Sequence, residues 1–125
     1  MPARIVIVHD DEEFTRNTVA ALQSAGHDVA FFKDPMLAHD AIEAAQRVEV
    51  LITRVAFPPG RSNGVSLARM TRSKRPGVKV LFVALEEYES LAEGLGAFLP
   101  LSASAETVAV TVERMLADND LLQER

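Results

Sequence analysis

Cysteine and tryptophan are absent from this 125-residue chain, and one tyrosine and six phenylalanines supply all its aromatic area. Without cysteine there is no disulfide, no thiolate nucleophile and no thiolate metal ligand, and a cytoplasmic location is the default expectation. Without tryptophan, the core must rest on Val, Leu, Ala and Ile. No apolar run approaches the roughly 20 residues of a membrane-spanning helix. Met1-Pro2-Ala3-Arg4 leads directly into a strand pattern, with no charged segment and apolar stretch of a signal peptide. Positive charge is also in deficit. Thirteen basic residues face eighteen acidic ones, for a net charge of −5 and a pI near 5.1. A general nucleic-acid binder would need a basic footprint instead.

The hydrophobic fraction of 48% and the charged fraction of 25% suit one domain of ordinary size. Its core is expected over about residues 4–117, with a helical tail over 118–125. Five strands are predicted, at Arg4–Val8, Asp28–Phe32, Val48–Thr53, Val78–Ala84 and Ala97–Leu99. Several are unbroken β-branched runs, the pattern of strands buried on both faces. Helices are predicted between them. The first runs from about Glu12 to Ala25, with Phe14, Thr18, Ala21, Leu22 and Ala25 on one face. Asp10 or Asp11 can cap it, and Gly26 ends it. The second starts at Pro35 after Asp34 and reaches about Gln46. The third spans about Val65–Ser73, after a loop in which Pro59-Gly60 suits a type II turn. A short helix or turn covers about Glu86–Ala92. The last helix runs from about Ser104 past Leu116, with a stripe of Val108, Val112, Met115 and Asn119. Strict alternation of apolar strands and helices predicts an α/β fold with a parallel sheet covered on both faces. For five such units the expected strand order is the flavodoxin-like 2-1-3-4-5.

Two apolar runs end on opposite charge. Ile5-Val6-Ile7-Val8 enters His9-Asp10-Asp11-Glu12-Glu13, and Val50-Leu51-Ile52 enters Thr53-Arg54. In the expected order these two strands flank the switch point, where ligands of open α/β sheets bind. An acidic cluster then faces an arginine across one pocket. The bland reading is that Asp10 and Asp11 only cap the first helix, that His9 is a structural polar residue and that Arg54 lies on the surface. His27 and His39 carry no site signal. Thr53 is expected to point away from the pocket by strand alternation. Arg61, Arg69, Arg72, Lys74 and Arg75 gather around the third helix, as a solvated face usually does.

The arrangement resembles the receiver domain of bacterial two-component response regulators, which are CheY-like in fold. The resemblance spans Ile5 to about Leu116. It rests on Ile7-Val8-His9-Asp10-Asp11, on Val50-Leu51-Ile52-Thr53-Arg54, on the loop from Pro58-Pro59-Gly60 to Gly64 and on Gly96-Ala97-Phe98-Leu99-Pro100. It implies two acids after the first strand for magnesium, an Asp phosphoacceptor after the third, a Thr or Ser after the fourth and a Lys after the fifth. The acidic pair falls on His9 and Asp10 or, one residue on, on Asp10 and Asp11. The acceptor position falls on Arg54, the hydroxyl position on Ala84 and the lysine position on Leu101. The switch-aromatic position falls on Phe98. The loop after the third strand is about two residues longer than the family's usual form. The stretch from Ala84 to Leu101 is about five residues shorter, so the fourth helix is expected to be trimmed.

Arginine is always protonated and is no nucleophile, leucine supplies no cation, and alanine donates no hydrogen bond. The resemblance therefore implies a degenerate pocket, a pseudo-receiver. Arg54 is expected to pair with Asp10 or Asp11, with no catalytic residue, no cofactor and at most Asp10 as a weak metal candidate. No output domain follows before Arg125, so the surface is expected to act on a protein partner directly. That partner is a histidine kinase or another signalling protein, or a second copy met through the fourth helix, fifth strand and fifth helix. Neither nucleic acid nor membrane is expected. The alternatives are a conventional receiver phosphorylated at an unusual residue and a small cofactor carrier on the same fold. A carrier would want a Gly-rich or Ser/Thr-rich phosphate loop where this chain has His9-Asp10-Asp11-Glu12-Glu13.

Overall fold

A computed structural model of the chain describes residues 3–57 and 64–123, with side chains through residue 118. Five strands alternate with helices: β1 (Arg4–Val8), α1 (Glu12–Ser24), β2 (Asp28–Phe32), α2 (Pro35–Ala44), β3 (Val50–Thr53), α3 (Gly64–Lys74), β4 (Lys79–Ala84), α4 (Glu89–Ala92), β5 (Ala97–Pro100) and α5 (Ala105–Gln123). A single 3-10 turn, Glu86–Tyr88, leads into α4. The sheet is parallel throughout, in the order β2-β1-β3-β4-β5. This is the flavodoxin-like order expected from the strand pattern, in the CheY-like form that the resemblance implies.

The two faces of the sheet sort by alternation along the strands. Ile5, Ile7, Val50, Ile52, Leu81 and Val83 pack with Leu22 of α1 and with Val108 and Val112 of α5. Val6, Val8, Leu51, Val80 and Phe82 pack on the other face with Ala38 and Ile42 of α2, Leu67 and Ala68 of α3 and Ala92 of α4. β3 begins two residues later than its apolar pattern suggests. Val48 is buried ahead of the strand, and pairing with β1 and β4 starts at Val50. Ala25 is exposed rather than on the buried face of α1. It is the C-cap, and Gly26 turns the chain away at a φ of +92°, so Ala25 lies beyond the last packed turn. The proposed Pro59-Gly60 turn, Arg61 and the side chain of Asn119 lie outside the described residues.

Polar contacts fix the helix ends. Asp11 accepts from the Phe14 N–H at 2.9 Å, and Asp34 accepts from the Met36 N–H at 2.8 Å. Lys74, the last residue of α3, and Arg75, just after it, are not merely solvated. Arg75 donates to the carbonyls of Ile42 at 2.7 Å and Ala45 at 2.5 Å, satisfying free acceptors at the end of α2. Lys74 pairs with Glu43. Buried His27 accepts the Ala3 N–H on Nδ1 at 3.0 Å and meets the Glu113 carboxylate through Nε2 at 2.5 Å. It thereby ties the start of β1 to α5.

The start of α3 rests directly on the end of β3. A Cβ on Gly64 would lie 1.7 Å from the carbonyl oxygen of Arg54, and the Val65 N–H donates to the Val55 carbonyl at 3.2 Å. The clash is with backbone, which has no flexible end to move aside. Gly64→Ala is expected to destabilise the fold by about 1–3 kcal/mol in urea denaturation. Gly77→Ala, where a Cβ meets nothing within 4 Å, is expected to stay within about 0.5 kcal/mol.

Candidate functional site

Register places the site. Val8 pairs with Thr53 across β1 and β3, so the residues that follow, His9-Asp10 and Arg54, leave the sheet side by side. The strands are buried to their last residue, and charge appears only beyond them. Arg54 donates from Nη1 to Asp10 Oδ1 at 2.7 Å. The two side chains are 22% and 32% exposed, so the pair is neither a free surface contact nor a fully buried one. The contact is made to Asp10 and not to Asp11, whose carboxylate is committed to the helix cap. It is also not a two-pronged fork, because Arg54 Nε is buried without a partner.

His9 is 1% exposed. The Asp11 N–H can only donate, so Nδ1 of His9 accepts it, at 3.2 Å. The proton therefore sits on Nε2, which donates to the Val83 carbonyl at 3.1 Å. Nδ1 lies 3.9 Å from Asp10, but it carries no proton and forms no ion pair. The ring also packs on Phe14, with centroids 4.5 Å apart. A neutral histidine thus joins the ends of β1 and β4 to the start of α1. Burial holds its pKa below the ordinary value, and the Arg54 charge adds to the effect against the bond to Val83.

The remaining positions are near but chemically quiet. Ala84 is 1% exposed, and its carbonyl accepts the Leu101 N–H at 2.9 Å. Leu101 is half-buried against the α1 and α5 side of the core. Phe98 is half-buried on the opposite side, beside Phe82 in the ladder. Thr53 is buried, and its hydroxyl donates to the Arg54 carbonyl at 3.1 Å. Arg54 and Asp10 thus meet directly, His9 stands beside Asp10 with its own bonds to Val83 and Asp11, and Ala84 and Leu101 are joined through backbone. The link from His9 to Val83 was not legible in the sequence, since nothing in the spacing reveals which carbonyl a buried ring will meet.

The donor set does not fit a magnesium ion. Such an ion wants oxygen ligands from one or two carboxylates. Asp10 already holds a guanidinium, Asp11 caps α1, and both His9 nitrogens are engaged. Among the described residues no cluster of three or more His, Asp or Glu is placed to hold a metal.

Two pH limbs follow. Partial burial raises the Asp10 pKa, but the hydrogen bond and charge of Arg54 outweigh it and hold the carboxyl below its usual value. A lowered carboxyl pKa stabilises the fold above the unfolded value of ~3.9, and that contribution is lost as pH falls below it. Arg54→Met is expected to cost about 1–2 kcal/mol near neutrality, between exposed and fully buried pairs. Denaturation at pH 3 should show a smaller loss. A lowered histidine pKa acts at higher pH. The unfolded chain binds the proton first, so stability declines as pH falls below ~6.5. His9→Gln is expected to flatten the stability profile between about pH 5 and 7 relative to wild type.

No protein-family model matches the chain. The chain is 29% identical over 80 residues to the response regulator receiver protein CpdR of Brucella abortus, an alignment covering 64% of each protein. It therefore spans just under two thirds of that relative's length. NtrX from Brucella abortus superimposes with a TM-score of 0.86 at 20% identity, over 99% of this chain and 29% of NtrX. A CheY-like receiver domain protein from Methanospirillum hungatei superimposes with a TM-score of 0.82 at 20% identity, over 96% of this chain and 98% of that one. At such identities the structural matches speak for the fold, and the sequence match to CpdR points the same way. With the strand order, these similarities show a CheY-like fold and make the chain similar to a response regulator receiver protein.

Proposed function

We propose that this domain is a pseudo-receiver in two-component signalling: it is not phosphorylated, catalyses nothing and acts by binding a protein partner. The observation that carries the reading is the 2.7 Å contact between Arg54 and Asp10. Phosphoryl transfer to a protein needs a nucleophile in line and cations that stabilise the developing charge. Arg54 stands where the resemblance implies the acceptor, and it cannot attack phosphorus. Ala84 and Leu101 stand where a hydroxyl and an ammonium would meet the phosphate oxygens. The pocket is electrically balanced without metal or phosphate, since the guanidinium neutralises Asp10 and His9 is uncharged.

In this reading the pair holds the ends of β1 and β3 in one arrangement. Partner choice then depends on surface shape and charge rather than on a chemical switch. The partner is a histidine kinase or another signalling protein. Phosphorylation at a non-standard residue gains no support from the geometry, because no free carboxylate stands at the end of β3.

Intact-mass spectrometry after incubation with a small-molecule phosphodonor and magnesium tests the reading. No mass gain of a phosphoryl group is expected at any time point. A stable adduct on the wild-type chain would overturn it.

A further inference from the structure

Charge is distributed unevenly along the chain. Residues 80–113 contain six glutamates and no aspartate, lysine, arginine or histidine, while the other 91 residues carry 13 basic and 12 acidic side chains. The net negative charge therefore resides in this one stretch. Four of its glutamates are exposed, Glu86 and Glu87 on the 3-10 turn, Glu89 on α4 and Glu93 at its C-cap. None of them joins an ion pair among the described residues.

Apolar side chains lie among these carboxylates. Leu85 is 46% exposed and Leu91 55% exposed. The short α4 buries only Ala92, so Leu91 is left facing outward. Beside Leu85, a groove of about 380 Å³ is lined by Glu86, Glu87, Pro100, Leu101 and Ser102. It runs from the acidic turn to the end of β5 and the two residues after it. Exposed apolar groups rimmed by charge mark interaction surfaces.

We propose that this face binds a basic segment of a partner protein, one that carries apolar side chains among its lysines or arginines. The inference deepens the protein-binding reading above and rests on it. Leucines on such a segment would cover Leu85 and Leu91, and its cations would meet Glu86, Glu87, Glu89 and Glu93. Complementary charge gives specificity and fast encounter. A second copy of this chain is the wrong occupant. A two-fold contact uses the same patch on both copies, so it would bring eight glutamates into one interface.

The test uses the full chain and a fluorescein-labelled helical peptide of leucine and lysine, followed by anisotropy. One variant carries Glu86→Gln, Glu87→Gln, Glu89→Gln and Glu93→Gln. A charge-matched control carries Asp28→Asn, Asp40→Asn, Glu106→Gln and Asp118→Asn. Circular dichroism establishes that both fold. Wild type and control are expected to bind alike, and the face variant about ten-fold or more weakly. Leu91→Ser is expected to weaken the leucine–lysine peptide and to leave polylysine binding unchanged. Equal losses in both charge variants would overturn the proposal, because binding would then follow net charge alone. A wild-type dimer in analytical ultracentrifugation that Leu91→Ser dissolves would overturn it in favour of a second copy. A phosphoryl adduct in the mass experiment would overturn the unphosphorylated reading and leave this charge-specific binding standing.

Discussion

A sheet covered on both faces leaves charge one place to go, the carboxyl and amino ends of its strands. β1, β3 and β4 are buried almost throughout, and burying an unpaired charge among them would cost several kcal/mol or more. The register of Val8 against Thr53 then decides which end groups become neighbours. Asp10 and Arg54 meet because the hydrophobic pattern forces this alignment. The pair depends on the core, and the core is spared an unbalanced charge at its rim. His9 completes the arrangement. It is the one imidazole taken fully out of water at these strand ends, and it remains neutral with each nitrogen occupied.

Much of the fold is legible in the sequence because the strands are β-branched runs with clear interruptions. Gly26, Asp34-Pro35 and Asp11 mark helix ends by backbone chemistry that acts locally. The opposed charges of Asp10 and Arg54 are legible for the same reason, since each directly follows a buried run. What the sequence hides are contacts across long separations. Arg75 reads as one of several basic surface residues, yet it closes the end of α2 through two carbonyls. His27 carries no pattern, yet it links Ala3 to Glu113. Gly64 reads as a loop glycine, and only the backbone approach to Arg54 shows why a Cβ has no room.

The molecule thus handles charge in two ways. At the strand ends, opposite charges cancel within a half-buried pocket. On the turn before α4 and along α4, exposed carboxylates have no ion-pair partner among the described residues and stand beside exposed leucines. The first arrangement is self-sufficient, while the second gains most when an outside cation arrives. The short α4 serves the second, since it keeps the core contact of Ala92 and leaves its outer residues exposed.

The Arg54–Asp10 contact also bears on evolutionary reversibility. Replacing Arg54 with a carboxylate would free Asp10 and place two acids together, so the pocket would then need a bound cation to balance it. Replacing Leu101 with lysine first would bring a second cation toward a pocket that Arg54 already fills. Each single step toward phosphoryl chemistry changes the charge balance of the pocket, and any step that recruits position 9 would cost the two structural hydrogen bonds of His9. Such a site works as a ratchet: once the pair exists, the way back needs several changes at once.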